Sequence, residues 1–555
     1  MFWKRFLIKL LAIMVSALLL ACAFPLPPVL KGLESSSGIW LALIPLIIVV
    51  RLSRPRAAFW WSWLCGFMFW LVSLSWVLQL RNSWGMLPLV IVSWVGLAAY
   101  CALYIGLFGF LLAKIFPETD ARQESEPSSV GIVLSRIMTV LSAPVIWVGC
   151  EYLRGLLGTG FPWNTLGASQ YTNVASIQIA ALGGVYAVSA TIVLLNASLA
   201  LTALRTVREI RYRLPRGRVH YELMVGLLVV ALSWSAGVRR IQHGDKSFAD
   251  LDTLRVAVVQ PNIKQPKKWS EGFAQECYLS LMGESEFALT SSPQLMIWPE
   301  TAIPDVLPVE PVAQAAVSRF VSTNTSLLLG SMNYLQHGYQ TDYFNSSFLV
   351  GDAGRIVGEY RKRHLVPFGE YLPLANRIPL IKRFAPLGFS CTPGGEQALL
   401  KLAVGEDVWP FGILICFEDI FGYLSRQDVR KGALFLVNQT NDAWFDGSAA
   451  AHQHMANAVF RAVENRVPLV RCANTGVSCF VDRFGRVYKV LGGQHGGTGM
   501  NGFSVSELRF EPAGRRLTPY TKFGDWLLAI PAMLVVLGLL FWSILSVVVR
   551  RRQAA

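Results

Sequence analysis

About 20 consecutive apolar residues make a helix that crosses the hydrocarbon core of a bilayer, and this chain repeats such runs. They fall at 6–26, 38–53, 58–80, 86–114, 136–157, 174–204 and 222–239, with an eighth at 524–549. Lipid offers no hydrogen bonds, so segments like these must satisfy their backbone polar groups internally, as helices. Composition agrees: 15% of residues are charged and 53% hydrophobic, against about 25% charged in a soluble chain. The runs 38–53 and 222–239 are short for a span. Several others are long enough to tilt or to extend past the lipid.

Orientation follows from the lysine and arginine bias of the loops. Basic residues gather at Lys4, Arg5 and Lys9, at Arg51, Arg54 and Arg56, at Arg205, Arg208, Arg211, Arg213, Arg216 and Arg218, and at Arg550, Arg551 and Arg552. With eight spans these lie on one side, which should be the cytoplasm. Residues 240–523 then lie outside, in the periplasm of a two-membrane cell; Arg239 and Arg240 run against this pattern. The net charge of +15 is thereby explained by topology, and no nucleic-acid partner is expected. The polar insert 117–133 reads as a flexible cytoplasmic loop. Leu19-Leu20-Ala21-Cys22 resembles a lipoprotein signal cleaved before Cys22, but an uncleaved first helix ended by the prolines of FPLPP is favoured, because further spans follow. The expected division is a membrane part at 1–243, an α/β domain at 244–515, and a last helix with a basic tail at 516–555.

From 252 the texture changes to short β-rich runs alternating with helical stretches. Strands are expected at 254–260, 294–300, 326–332, 345–350, 355–360, 412–416, 433–438, 468–473 and 477–482. Helices are expected at 272–290, 311–322, 420–430 and 451–466. Apolar strands without strict alternation imply sheets covered on both faces, and the order implies α/β layering. GGQHGGTG (492–499) follows the run RVYKVL and opens no helix, so it reads as a loop and not a phosphate cradle. The nine cysteines show no metal-ligand spacing, and His452 and His454, two apart, do not share a helix face. No metal or cofactor is expected. Whether Cys472 and Cys479 pair is open.

Functional groups in open α/β sheets gather at strand ends. Three ends carry chemistry: Glu300 after MIWP, Lys362 in EYRKRHLVPFGEYLP, and Cys416 closing GILIC. Singly each has a bland reading. A glutamate after Trp-Pro is usually a solvated turn residue, a lysine between arginines an exposed face, and a cysteine ending an apolar strand a core residue. Glu418 and Asp419 beside Cys416 would raise its thiol pKa if ionised and close. A reactive Cys416 therefore needs a cation and a base from elsewhere; Lys362 and Glu300 are such groups.

Taken together in this order, WPET (298–301), YRKRHLVPFGEYLP (360–373) and CFED (416–419) resemble the carbon–nitrogen hydrolase (nitrilase) superfamily. VVQPNI (258–263), YFNSS (343–347), NDAWFDGS (441–448), HQHMANAVFRAVENRVPLVR (452–471) and NTGVS (474–478) strengthen the match. Beside eight spans, and with FPWNTLG (161–167), the text resembles one branch, the apolipoprotein N-acyltransferases. The resemblance implies a polytopic α-helical membrane domain of about eight spans plus an extramembrane αββα sandwich. It implies Cys416 as acylated nucleophile, Glu300 as general base and Lys362 as oxyanion support. Glu370 and Glu418 would assist, a buried glutamate near Lys362 keeping the amine protonated, and Trp269, Asn345 and Trp444 match mobile or pocket-lining positions. The implied substrates are a phospholipid acyl donor, commonly phosphatidylethanolamine, and the N-terminal amine of a diacylglyceryl-cysteine apolipoprotein. The chain departs from the branch at Phe417, where tyrosine is familiar, and at Asp446 in WFDGS, where glycine is usual.

Two other classes share features with this reading. A membrane-anchored amidase or nitrilase would use the same three residues with water as acceptor, though one span would suffice to anchor it. A transporter or receptor would place ionisable groups inside its spans, of which Glu151, near Arg154, is the clearest candidate.

Overall fold

The computed structural model describes residues 2–81, 87–115, 130–212, 219–246, 251–265, 274–303, 306–321, 324–351, 354–373, 390–445, 447–493 and 498–554. Trp269, Asp446, the loop arginines Arg213, Arg216 and Arg218, most of the 117–133 insert and part of the 492–499 loop lie outside these residues. The chain forms two compact units. One comprises 1–77, 91–240 and 523–555; the other comprises 78–90 and 241–522.

Among the described residues the regular structure of the first unit is helical. Among the described residues six helices are long and apolar enough to cross a membrane: Trp3–Cys22, Leu87–Ile115, Arg136–Arg154, Val185–Arg211, Tyr221–Gly244 and Pro519–Ser546. The expected runs at 38–53 and 58–80 take other forms. The first is two short helices, Ile39–Ala42 and Ile44–Arg51, separated at Leu43. That break frees backbone groups, and Asn196 takes them up: its Nδ2 donates to the Ile39 carbonyl at 3.1 Å and its Oδ1 accepts from the Leu43 N–H at 2.9 Å. Without such a partner each group would cost several kcal/mol away from water (about 2–7). The second is the tryptophan-rich helix Pro55–Ser73, which passes into the 3-10 turn Ser75–Leu80. The run expected at 174–204 divides at Gly184, whose φ of 69° belongs to the left-handed region glycine adopts at low cost; a full helix starts only at Val185.

Glu151 and Arg154 have structural partners in this unit. Glu151 accepts from the Leu166 N–H at 2.6 Å and from Trp147 Nε1 at 3.2 Å, and Arg154 donates to the carbonyls of Phe161 and Trp163 at 2.6 and 2.7 Å. The pair ties the FPWNTLG loop to the last turn of Val130–Arg154.

The second unit contains two six-stranded sheets. The first has the order β12-β1-β2-β3-β4-β5, with β1 Asp252–Gln260, β2 Leu295–Ile297, β3 Ser326–His337, β4 Gln340–Val350, β5 Ile356–Arg361 and β12 Gly502–Phe510. The second has the order β11-β10-β9-β8-β7-β6, with β6 Leu400–Val404, β7 Asp407–Ile415, β8 Phe435–Thr440, β9 Leu469–Ala473, β10 Cys479–Val481 and β11 Val487–Tyr488. Each centres on three parallel strands, β1-β2-β3 and β7-β8-β9, flanked by antiparallel neighbours.

Side-chain alternation decides the layering. Val256 and Val258 of β1 pack with Ile297, Phe411, Ile413, Ile415, Phe435 and Val437 in a core drawn from both sheets. Ala257 and Val259, pointing the other way, join Leu281, Ala288, Ala313 and Val317 of the helices Ala274–Leu289 and Pro311–Ser318. Helices Gly422–Arg430 and Ala450–Asn465 pack on the second sheet. Strands buried on both faces need apolar residues in succession, as GILI and FLV supply. The result is the αββα sandwich.

Candidate active site

The parallel strands end on the same side of the sandwich, and the chain leaves each end in a tight turn. After β2, Trp298 is buried with its Nε1 on Ser285 Oγ at 2.9 Å, and Pro299 carries the chain to Glu300. Gly330 on β3 permits that path: a methyl group there would stand 2.6 Å from the Pro299 carbonyl oxygen and 2.8 Å from Glu300 Cα. Lys362 follows β5 directly, its N–H bonded to the Asn345 carbonyl of β4 at 2.9 Å. Cys416 follows β7 with φ 52°, and Thr301 and Phe368 near the other two turns have φ 42° and 62°. Left-handed backbone costs a residue with a Cβ about 1–2 kcal/mol, so the surrounding structure must hold all three.

These turns bring an amine between two carboxylates. Lys362 Nζ lies 3.3 Å from Glu300 Oε1 and 2.9 Å from Glu370 Oε1. Asn345 Nδ2 donates to both oxygens at 2.8 Å, and the Val366 N–H holds the second oxygen of Glu370 at 2.8 Å. Lys362, Glu300 and Asn345 are all buried. Burial disfavours the charge on Lys362, but Glu370 and then Glu300 hold its pKa well above the ordinary lysine value, so it is an ammonium.

Cys416 faces this group. Crowding around its sulfur, and then Glu300, push the thiol well above its ordinary range, while Lys362 pulls it down and Asp442 adds to the rise. The resting group is therefore a neutral thiol, the form that needs a base before it can attack.

Glu418 turns away from the amine. Its buried carboxylate accepts from the backbone N–H groups of Arg363 (2.7 Å), His364 (3.0 Å) and Ile415 (2.7 Å), and from the Tyr360 hydroxyl (2.7 Å). It thus clamps the start of the Lys362 turn to the end of β7. The carboxylates beside the amine are Glu300 and Glu370. Asn345, expected as a pocket-lining residue, bridges those two. Trp444 is half-buried in the short turn Asp442–Phe445. Phe417 packs edge-on against Phe421 at 5.4 Å.

Several residues at this site are given no part in it by the sequence reading. Gln439 of β8 donates to the Trp298 carbonyl and accepts from Ser347 Oγ, each at 2.5 Å, joining the two sheets behind Glu300. Below Cys416 lies a buried charged group. Arg471 meets Asp419 at 2.7 Å and Asp442 at 3.0 Å, and His454 meets the same two carboxylates at 2.9 Å each. Gly476 makes room for it, since a Cβ there would fall 2.0 Å from Asp442 Oδ2. Cys472 and Cys479 are separate buried thiols. Among the described residues no three His, Cys, Asp or Glu side chains are grouped to hold a metal ion.

Comparison with known proteins finds relatives of the whole chain. The family model described as "Apolipoprotein N-acyltransferase N-terminal domain" matches residues 16–198, and "Carbon-nitrogen hydrolase" matches 255–501. The apolipoprotein N-acyltransferase of Geobacter metallireducens is 35% identical over 475 residues, covering 85% of each chain. That of Gloeobacter violaceus is 30% identical over 521 residues, covering 90% of this chain and 89% of its own. Among solved structures, Saccharomyces cerevisiae Nit3, of the nitrilase superfamily, is similar at 18% identity and a TM-score of 0.34, over 46% of this chain and 90% of its own.

Proposed function

Because this chain belongs to the apolipoprotein N-acyltransferase family, we propose that it moves an acyl chain from a phospholipid, phosphatidylethanolamine foremost, to the N-terminal amine of a diacylglyceryl-cysteine apolipoprotein. The observation that carries the reading is the Lys362 ammonium held at 3.3 and 2.9 Å from Glu300 and Glu370, with the Cys416 thiol in the same electrostatic field.

In the first step Glu300 takes the thiol proton as Cys416 Sγ attacks the ester carbonyl. Charge develops on the carbonyl oxygen, and the Lys362 ammonium stabilises it. The lysolipid alcohol leaves with the proton from Glu300, and the acyl group remains as a thioester. In the second step the lipoprotein amine gives its proton to Glu300 and attacks the thioester carbonyl. The amide departs, and the thiol recovers its proton. Amines attack thioesters readily, so this step needs mainly a positioned, uncharged amine.

Both substrates keep acyl chains in lipid, and each CH₂ drawn into water costs about 0.8 kcal/mol. The reaction must therefore run at the bilayer surface, which gives the helical unit its purpose. The basic loops favour the inner membrane with the sandwich in the periplasm. An amidase with water as acceptor would share the same three residues. The transporter reading loses its main support, since Glu151 and Arg154 are engaged with the FPWNTLG loop.

The test supplies phospholipid labelled in the acyl chain together with a diacylglyceryl lipopeptide. Label in the lipopeptide amide supports the transferase. Label appearing only as free fatty acid, with or without the lipopeptide, favours the hydrolase.

A further inference from the structure

The buried charged group behind the nucleophile has no part in the steps above, and its geometry is specific. His454 lies on the helix Ala450–Asn465. Its Nδ1 is 2.9 Å from Asp442 Oδ1 and its Nε2 is 2.9 Å from Asp419 Oδ1. Nδ1 is hydrogen-bonded to the Asp442 carboxylate and Nε2 to the Cys416 carbonyl oxygen at 3.2 Å; both oxygens only accept, so both ring nitrogens carry protons and the ring is an imidazolium. Asn438 Nδ2 donates to the same Cys416 oxygen at 3.4 Å and to the Leu414 carbonyl at 3.1 Å, while its own oxygen is held by Arg471. The two contacts converge on the carbonyl of the one residue in CFED with left-handed backbone.

We infer that His454 is a positioning residue for the nucleophile: its charged ring fixes the Cys416 turn through the carbonyl and balances the two aspartates behind the sulfur. The inference rests on Cys416 being the nucleophile. The charged groups around the ring are Asp419, Asp442 and Arg471, and those around the sulfur are Glu300, Lys362 and Asp442. With the imidazolium present, the charges of Asp419, Asp442, Arg471 and His454 cancel. Without it one negative charge is left behind the sulfur, and the thiolate that must form during attack is harder to reach. A pure packing role would leave the ionisation of Cys416 alone.

The test uses the full-length protein in detergent micelles. Alkylation of Cys416 by iodoacetamide, read by mass spectrometry of its peptide, is followed from about pH 7 to about pH 11, above the ordinary thiol value, in the wild type, His454→Gln and Asp442→Asn. Glutamine keeps a donor toward the carbonyl but no charge, and the alkylation midpoint is expected to rise. Each unit of rise slows alkylation about tenfold at neutral pH. Asp442→Asn removes a negative charge and is expected to lower the midpoint. The opposite signs separate charge from packing, and Asp442→Asn carries the test if His454→Gln does not fold. Midpoints equal to the wild type in the folded variants would overturn the inference. Acylation of wild-type Cys416 by phospholipid is measured in parallel: its absence removes the transferase reading while leaving the midpoints as they are.

Discussion

At the residue scale the site depends on charges that burial would expel if they stood alone. Lys362 remains an ammonium because Glu370 and Glu300 surround it, and the two carboxylates tolerate each other because Lys362 and Asn345 lie between them. Lys362→Met should lose most turnover, and it should also melt earlier. Breaking a buried ion pair from one side costs about 3–5 kcal/mol. Thermal melting of the variant beside the wild type checks this; normal turnover would remove Lys362 from the chemistry. Gly330 makes a second case. An added methyl has no room against the backbone of Pro299 and Glu300. Gly330→Ala should therefore displace Glu300 and lower the rate of Cys416 acylation while the protein still folds, and acylation at the wild-type rate would refute the close fit.

At the scale of elements, the turns after β2, β5 and β7 do the assembling, and they differ in how far the sequence shows them. Glu300, Lys362 and Cys416 are legible because each follows a strand inside a distinctive segment. The group of Asp419, Asp442, His454 and Arg471 is not. Its members sit in four segments, and each alone reads as an ordinary turn, helix or strand residue; the pairing of β7, β8 and β9 brings them together. The strand β12 is legible by a different signal: FSVSELRF alternates, as a half-buried edge strand does, and a reading by continuous apolar runs passes it by. The inner form of an apolar run is hidden in the same way. An apolar run such as 38–53 reads alike whether it crosses as one helix or breaks at Leu43, because the cap that permits the break, Asn196, is far away in sequence. A pH prediction belongs to this level. Burial opposes the His454 charge, yet Asp419 and Asp442 raise its pKa from about 6.5 to about 9. A pKa raised by folding means stability present in full below the unfolded value and lost as pH rises through the folded one. The melting temperature should thus fall between roughly pH 6.5 and pH 9 from this group, and His454→Gln should lack that part of the fall. Identical pH slopes in the two proteins would contradict it.

At the scale of the molecule, a helical unit and a nitrilase-like sandwich share one chain, and the proposed reaction accounts for the union: its substrates would stay in the bilayer while the chemistry uses a site built on strands. The proposed orientation has a direct check. Protease added to spheroplasts should digest the sandwich, and everted vesicles should protect it; digestion only from the everted side would reverse the topology. The central claim is that an acid, an amine and a sulfur from three distant segments act together on a lipid ester. It is tested most directly by the intact mass of the purified protein after incubation with phospholipid vesicles, before any acceptor is added. The wild type should gain the mass of one acyl chain, mapped to Cys416, and Cys416→Ala should gain none. A wild type that stays unmodified, or an alanine variant that takes up the chain equally, would contradict the account.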